Sequence, residues 1–530
     1  MTDQEISSRR AAILERHGAA GSVLEELLAY NANVFQPSQF NSLPQLPVAD
    51  EMHVESWLGY SQDAEKLGTI PALSKRLVQL LFPIQEGISQ TDDYRAATRR
   101  GVFPLPGEAP RLSLKDPDGV QLVIHPTMAG RVPMLIARER DDFESLVRVF
   151  SERNEPAAVP PSMGACIVTG LNNWDRIHTY RRSWVRANPT AEESDWSKEF
   201  QKLVPLKHLY QDRFIILSSG PYSGVSAGMA GIPETEWLEM SMRIRREHEA
   251  THYFTWRLLG SMRNNLIDEI IADYAGLVSV FGRFRADLAL LFFGLENYPD
   301  YRTGGRLENY RGNPPLSQDA LRLVMGLTVE AIRNLEKFNL SLPEEERRDP
   351  MHLAQTVVAL AAMTLEELTA DDIAENLHAM LGRQNESRLR RESVHEESIQ
   401  VENSSDGLAE LMERFETFAL DHEIPVKVLS SLNLALDELV SNIIKYGYDD
   451  EERHTITLEV RLTGGRLDLE IVDDGHEFNV LEQEDPDVSL GIEERKIGGL
   501  GIFIVKQLMD EMHYERRNDQ NHLFMSKNLD

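Results

Sequence analysis

Residues 437–448 read DELVSNIIKYGY, and the longer run VKVLSSLNLALDELVSNIIKYGY (426–448) carries its apolar side chains at helical spacing. On such a helix Glu438 and Asn442 stand four positions apart and project to one side. An amide oxygen is a hard ligand suited to magnesium. A carboxylate one turn away can orient a water or take a proton from an attacking hydroxyl. Working outward, HTITLEVRLTGGRLDLEIVDD (454–474) alternates apolar and polar residues on two arms around Gly464-Gly465, the pattern of a hairpin. It ends in Asp473-Asp474-Gly475. A carboxylate at that strand end can accept a hydrogen bond from an exocyclic amine such as that of adenine, and Gly475 lets backbone approach the base.

A polar, proline-containing loop (476–497) leads to Gly498, Gly499, Leu500 and Gly501, which open a helix. Free amides at a glycine-rich helix start form an anion site suited to phosphates. IQVEN (399–403) reads as a strand, GLAELMERFETFALDHEI (407–424) as a helix, and MHYERRNDQNHLFMSK as a last hairpin. The order predicts an α/β sandwich over 399–530, a mixed sheet covered by helices on one face.

These segments resemble the ATPase domain of the GHKL superfamily and, within it, bacterial anti-sigma-factor serine kinases. DELVSNIIKYGY is similar to the N box, VDDGHEFN to the first glycine box, and RKIGGLGIFIVKQLMDEMHYERR to the second. The resemblance implies ATP as ligand, magnesium on Asn442, adenine read by Asp473, and Glu438 as base for transfer to a protein serine. Two positions depart from the pattern. Glu477 replaces the second glycine of the first box, and Lys445 and Tyr446 stand where a histidine or similar residue usually follows the asparagine.

A second motif lies upstream. TEWLEMSMRIRREHEATHYFTWRLLG is a long amphipathic run opened by Pro233 and Thr235 and closed by Gly260. Inside it His248-Glu249-Ala250-Thr251-His252 puts two imidazoles one turn apart, able to converge on one zinc ion, with Glu249 as general base. The next helix, from about Asn264 to Phe281, carries Glu269 as natural third ligand and Asp273, four residues on, to hold a histidine from behind. HExxH followed by ExxxD resembles the gluzincin class of zinc metallopeptidases. FIILSSG (214–220) is the expected edge strand for an extended peptide. Tyr301, Arg302, Arg306 and Tyr310 are neighbours in sequence only, with no assigned role.

The fold class expected is multidomain α+β: a mostly helical, zincin-like N-terminal region with a small sheet, then a GHKL sandwich. Residues 1–160 form a helical region with some strands, opening on one helix over 1–31. Residues 161–382 form the metallopeptidase-like domain, 383–398 a charged linker, and 399–530 the ATP-binding domain. With 530 residues, 42% of them apolar and 27% charged, two to four globular domains are expected. A net charge of −31 repels phosphate backbones and anionic lipid, which argues against nucleic acid and membrane partners. The single cysteine, Cys166, excludes an intramolecular disulfide, and no apolar stretch suffices for a signal peptide or bilayer span, so the expected location is cytoplasmic.

The function expected is a nucleotide-regulated zinc metallopeptidase acting on a protein or peptide. The alternative is an anti-sigma-factor-like protein serine kinase whose N-terminal region serves as a sensor. Its partner would be a sigma-regulatory or other signalling protein, with homodimerisation possible in family terms.

Overall fold

Phe214-Ile215-Ile216-Leu217 is an unbroken apolar run, which a strand can bury only when both its faces are covered. The computed structural model describes residues 3–35, 40, 44–102, 112–261, 266–392, 394–450, 452–482 and 500–529, in two compact units, Met1–Leu381 and Gly382–Asp530. In the first unit, strands β1 (Val120–His125), β2 (Val132–Ala137), β3 (Ala165–Asn172) and β4 (Gln211–Ser218) form a sheet of order β1-β2-β4-β3. β2 pairs with β4 in parallel, and the other pairings are antiparallel. Phe214 and Ile216 point into one core with Trp57, Phe143 and Phe150. Ile215 and Leu217 point into a second with Ile244 and Tyr253. β4 is therefore internal, which corrects the expected edge placement of 214–220: a run apolar on both faces suits a paired, covered strand, and the edges are β1 and β3. Strand pairing also crosses the 160/161 division, since β1 and β2 precede it and β4 follows it. The single helix expected over 1–31 is two, Asp3–Arg16 and Gly21–Tyr30, parted at Gly18 with φ 91°.

Two helices form the heart of the second core. The histidine helix, Glu234–Leu259, starts at Pro233 with Glu234 and Glu236 in its first turn and ends at left-handed Gly260. The return helix, Leu266–Phe281, packs against it, burying Ile270, Tyr274 and Leu277 beside Ile244 and Tyr253. Full burial of each such side chain contributes about 1.5–3 kcal/mol. Gly276 of the return helix lies directly against the histidine helix. A Cβ there would lie 3.0 Å from the carbonyl oxygen of Ile244 and 3.2 Å from its Cγ2.

The charged segment 383–398, expected as a linker, is mostly regular. A helix runs over Ile373–Glu392 and β5 begins at His395. Opposite charges four apart, such as Glu386 and Arg390, suit a helix as well as a solvated linker, so composition alone does not separate the two. In the second unit β5 (His395–Glu402), β6 (Thr455–Thr463), β7 (Arg466–Asp473), β8 (Glu511–Arg517) and β9 (Gln520–Asn528) form a sheet of order β5-β6-β7-β9-β8. Every pairing is antiparallel, correcting the mixed sheet expected from sequence: the two helices between β5 and β6 return the chain beside β5 in the opposite direction. The β6–β7 turn has Gly464 at φ 59° and Gly465 at φ 77°, the left-handed pair that a tight hairpin requires. One face of this sheet is apolar (Ile456, Leu458, Val460, Leu469, Ile471) and packs on the helices Ser405–Asp421 and Val426–Tyr446. Among the described residues no helix is long and apolar enough to cross a membrane.

Candidate functional site

The histidine and return helices bring His248, His252 and Glu269 together, all buried, with their ligand atoms within 4.8 Å of one another. The two Nε2 atoms lie 3.1 Å apart, and Glu269 places Oε2 3.5 Å from His248 Nε2 and Oε1 3.5 Å from His252 Nε2. Metal–nitrogen bonds of about 2.0–2.1 Å in a tetrahedron separate donors by roughly 3.3 Å. The spacing and the donor chemistry thus fit zinc. Glu249, between the histidines in sequence, is only half-buried.

Behind His248, Asp273 Oδ1 lies 3.0 Å from Nδ1. Two residues that sequence reasoning left without a role complete this layer. Tyr222 donates its hydroxyl to Asp273 Oδ1 at 2.6 Å, and the Tyr222 hydroxyl oxygen is itself 2.7 Å from His248 Nδ1. Arg306 donates to the Tyr222 hydroxyl at 2.9 Å, pairs with Asp273 Oδ2, and reaches Glu269 Oε2 at 3.4 Å. Tyr222 arrives from the loop after β4 and Arg306 from a short turn over Arg306–Tyr310, so neither carries a spacing signal. Tyr310 also faces Glu269.

Two buried carboxylates against one guanidinium leave one negative charge, which in a dry site calls for a cation or a protonated imidazole. The titration follows. Burial acts against charge on His248, but Asp273 and Glu269 outweigh it and lift the imidazole to about 9. Burial alone would raise Glu269; hydrogen bonds from His248 and His252 hold it well below the usual range instead. Burial keeps the Tyr222 phenol neutral, and so a donor.

In the second unit Asp473 ends β7 at 5% exposure. Its Oδ1 accepts from Gly475 N–H at 2.9 Å and from Asn521 Nδ2 at 2.8 Å. Asn521 is its partner in the β7–β9 register. Arg516 donates to the Gly475 carbonyl at 2.9 Å and to Asn521 Oδ1 at 2.8 Å, locking the turn. Burial pushes the Asp473 carboxyl upward, partly offset by Asn521 and the Gly475 amide. The sequence held no signal for Asn521; only strand register reveals it. Gly475 sits against the end of the 426–446 helix: a Cβ would lie 2.6 Å from the Gly447 carbonyl. That carbonyl accepts from His476 N–H at 2.8 Å.

Glu438 and Asn442 are half-buried on the 426–446 helix and make no side-chain hydrogen bond to another described residue. Gly501, in the helix Leu500–Leu508, faces Glu438: a Cβ would lie 2.0 Å from Glu438 Oε2. Gly498 and Gly499 lie outside the described residues, as does the Leu500 side chain.

Residues 12–372 match the family of unknown function DUF7005. The chain belongs to that family. The DUF7005 region contains the whole histidine cluster. Residues 401–527 match the histidine kinase-like ATPase domain. This segment is similar to serine-protein kinase RsbW of Listeria monocytogenes serovar 1/2a, 29% identical over 90 residues, 16% of this chain and 57% of the relative. It is also similar to serine/threonine-protein kinase BtrW of Bordetella bronchiseptica, 25% identical over 111 residues, 21% of this chain and 78% of the relative. The anti-sigma F factor of a Thermoanaerobacter species is 25% identical over 99 residues, 18% of this chain and 68% of the relative. The DUF7005 protein therefore joins a family of unknown function to a histidine kinase-like ATPase domain, and spans little more than half of the Listeria relative.

Proposed function

We propose that the chain is an ATP-dependent protein serine kinase that acts on a sigma-regulatory partner, with the DUF7005 unit as its sensing or docking part. The observation that carries this reading is Asp473, a buried carboxylate aimed by Gly475 and Asn521, in a segment whose relatives are named serine kinases. In this reading Asp473 accepts from the adenine amine, and the amides around Gly499 and Gly501 hold phosphates. Asn442 would hold magnesium, which would supply charge neutralisation on the phosphates. Glu438 takes the proton of the partner's serine hydroxyl as its oxygen bonds to the γ-phosphorus and the bond to the ADP oxygen breaks.

The test is phosphate transfer from γ-labelled ATP to serine-bearing partner proteins of the anti-sigma-antagonist kind. Transfer lost in Glu438→Gln with ATP still bound supports the assignment. A protein that binds ATP and transfers to no partner would leave a nucleotide-set scaffold in its place.

A second reading rests on the convergence of His248, His252 and Glu269. These three would hold zinc, and Glu249 would act as base in hydrolysis of a protein or peptide bond. Zinc, when bound, supplies an acidified water and polarises a carbonyl. Peptide hydrolysis lost in Glu249→Ala would establish it. Identical rates with and without ATP would show that the nucleotide does not regulate it.

A further inference from the structure

The segment between β4 and the histidine helix is fastened to that helix at three levels. Near the start of the helix, Trp237 Nε1 donates to the Val225 carbonyl at 2.7 Å. Midway, the buried guanidinium of Arg245 donates to the carbonyls of Ser218, of Gly220 at 2.9 Å and of Pro221 at 3.1 Å. One turn further on, the Tyr222 hydroxyl meets His248 Nδ1. The Tyr222 ring stands edge-on to Phe292, with centroids 4.8 Å apart, so its hydroxyl has little room to wander.

We infer that Tyr222 is a positioning residue for a metal on His248: it and Asp273 keep the proton on Nδ1, so that Nε2 is the nitrogen turned to His252 and Glu269. The inference rests on the zinc reading above. A hydroxyl has one proton and two acceptor sites. Here the proton goes to Asp273 Oδ1, and the two sites face Arg306 Nη1 and His248 Nδ1. Both groups facing Nδ1 are therefore acceptors, which selects the Nδ1–H form. Arg306 restrains this layer and the ligand Glu269 at once. The partner behind a ligating imidazole commonly changes metal affinity by about 10–100-fold.

The experiment is a double-mutant cycle on the full chain, reading zinc affinity by competition with a chromophoric chelator. It compares wild type, Tyr222→Phe, Asp273→Asn and the double variant, with the visible spectrum of the cobalt(II)-loaded forms as a second readout. Wild type should bind one zinc. Tyr222→Phe should bind about tenfold more weakly with an altered cobalt band, and the double variant little more weakly than Asp273→Asn alone. A Tyr222→Phe protein within about twofold of wild type, with an unchanged cobalt spectrum, overturns the role of Tyr222 and leaves the zinc reading standing. Fully additive losses overturn it too, because Tyr222 would then act independently of Asp273. A wild type that binds no zinc removes the zinc reading and this inference with it. Should Tyr222→Phe not fold, Arg306→Lys carries the same test, and unchanged affinity there overturns the network.

Discussion

His248, His252 and Glu269 hold one another at 3.1–3.5 Å, with Asp273, Tyr222 and Arg306 packed behind them. In the second unit Glu438 and Asn442 make no side-chain hydrogen bond to a described residue, while Asp473 is anchored by Gly475 and Asn521. The first site has its three donors and the partners behind them in place, with one negative charge left for a cation or the His248 imidazolium to balance. In the second unit the described hydrogen bonds hold Asp473 in place. Preorganisation of this kind lowers what a ligand must spend on ordering, so the first arrangement suits a resident ion.

The comparison breaks most visibly at the metal. Structural zinc is worth roughly 10–16 kcal/mol over four ligands, or about 3 kcal/mol each. His252→Ala should therefore weaken zinc by a hundredfold or more, read as loss of about one zinc per chain after dialysis; full retention would show that the cluster is only an internal ion pair network. If Asp473 accepts from the adenine amine as proposed, Asp473→Asn puts a donor there, and should weaken ATP by about 2–3 kcal/mol, or roughly 30- to 150-fold, in calorimetry. Gly501→Ala pushes against Glu438 Oε2. Because the far end of a side chain can yield, phosphate transfer should fall about tenfold while ATP affinity holds, with a drop in both equally counting against Glu438 as base. The smallest effect is expected of Asn521→Ala, which leaves Asp473 present but less well aimed: about three- to fivefold weaker ATP by titration. A loss as large as that of Asp473→Asn would mean that orientation outweighs the carboxylate itself.

The local patterns were readable in the chain and the partnerships were not. HExxH and the later ExxxD announced His248, His252, Glu269 and Asp273 because helical spacing converts directly into a shared face. Tyr222 and Arg306 come from a loop and a short turn, whose side-chain directions no periodicity encodes. The run at 214–217 revealed a strand but not its neighbours, so β4 read as an edge when it is covered on both sides. The hairpin at Gly464-Gly465 was legible from its turn residues. The antiparallel return of β6 onto β5 was not, since two intervening helices are compatible with either direction. Asn521 belongs with these: it meets Asp473 through register across sequence-distant strands.

Gly276 lies outside every motif discussed, yet it sets how close the return helix comes to Ile244, one turn before His248. A glycine inside a helix costs about 1 kcal/mol relative to alanine, and here that cost coincides with a backbone-to-backbone approach. It works as a spacer gauge. A larger residue would wedge the helices and carry the carboxylate away from the imidazoles, emptying the cluster of its geometry with all of its own members intact. Mutational scans confined to the polar residues would miss the position on which their arrangement depends.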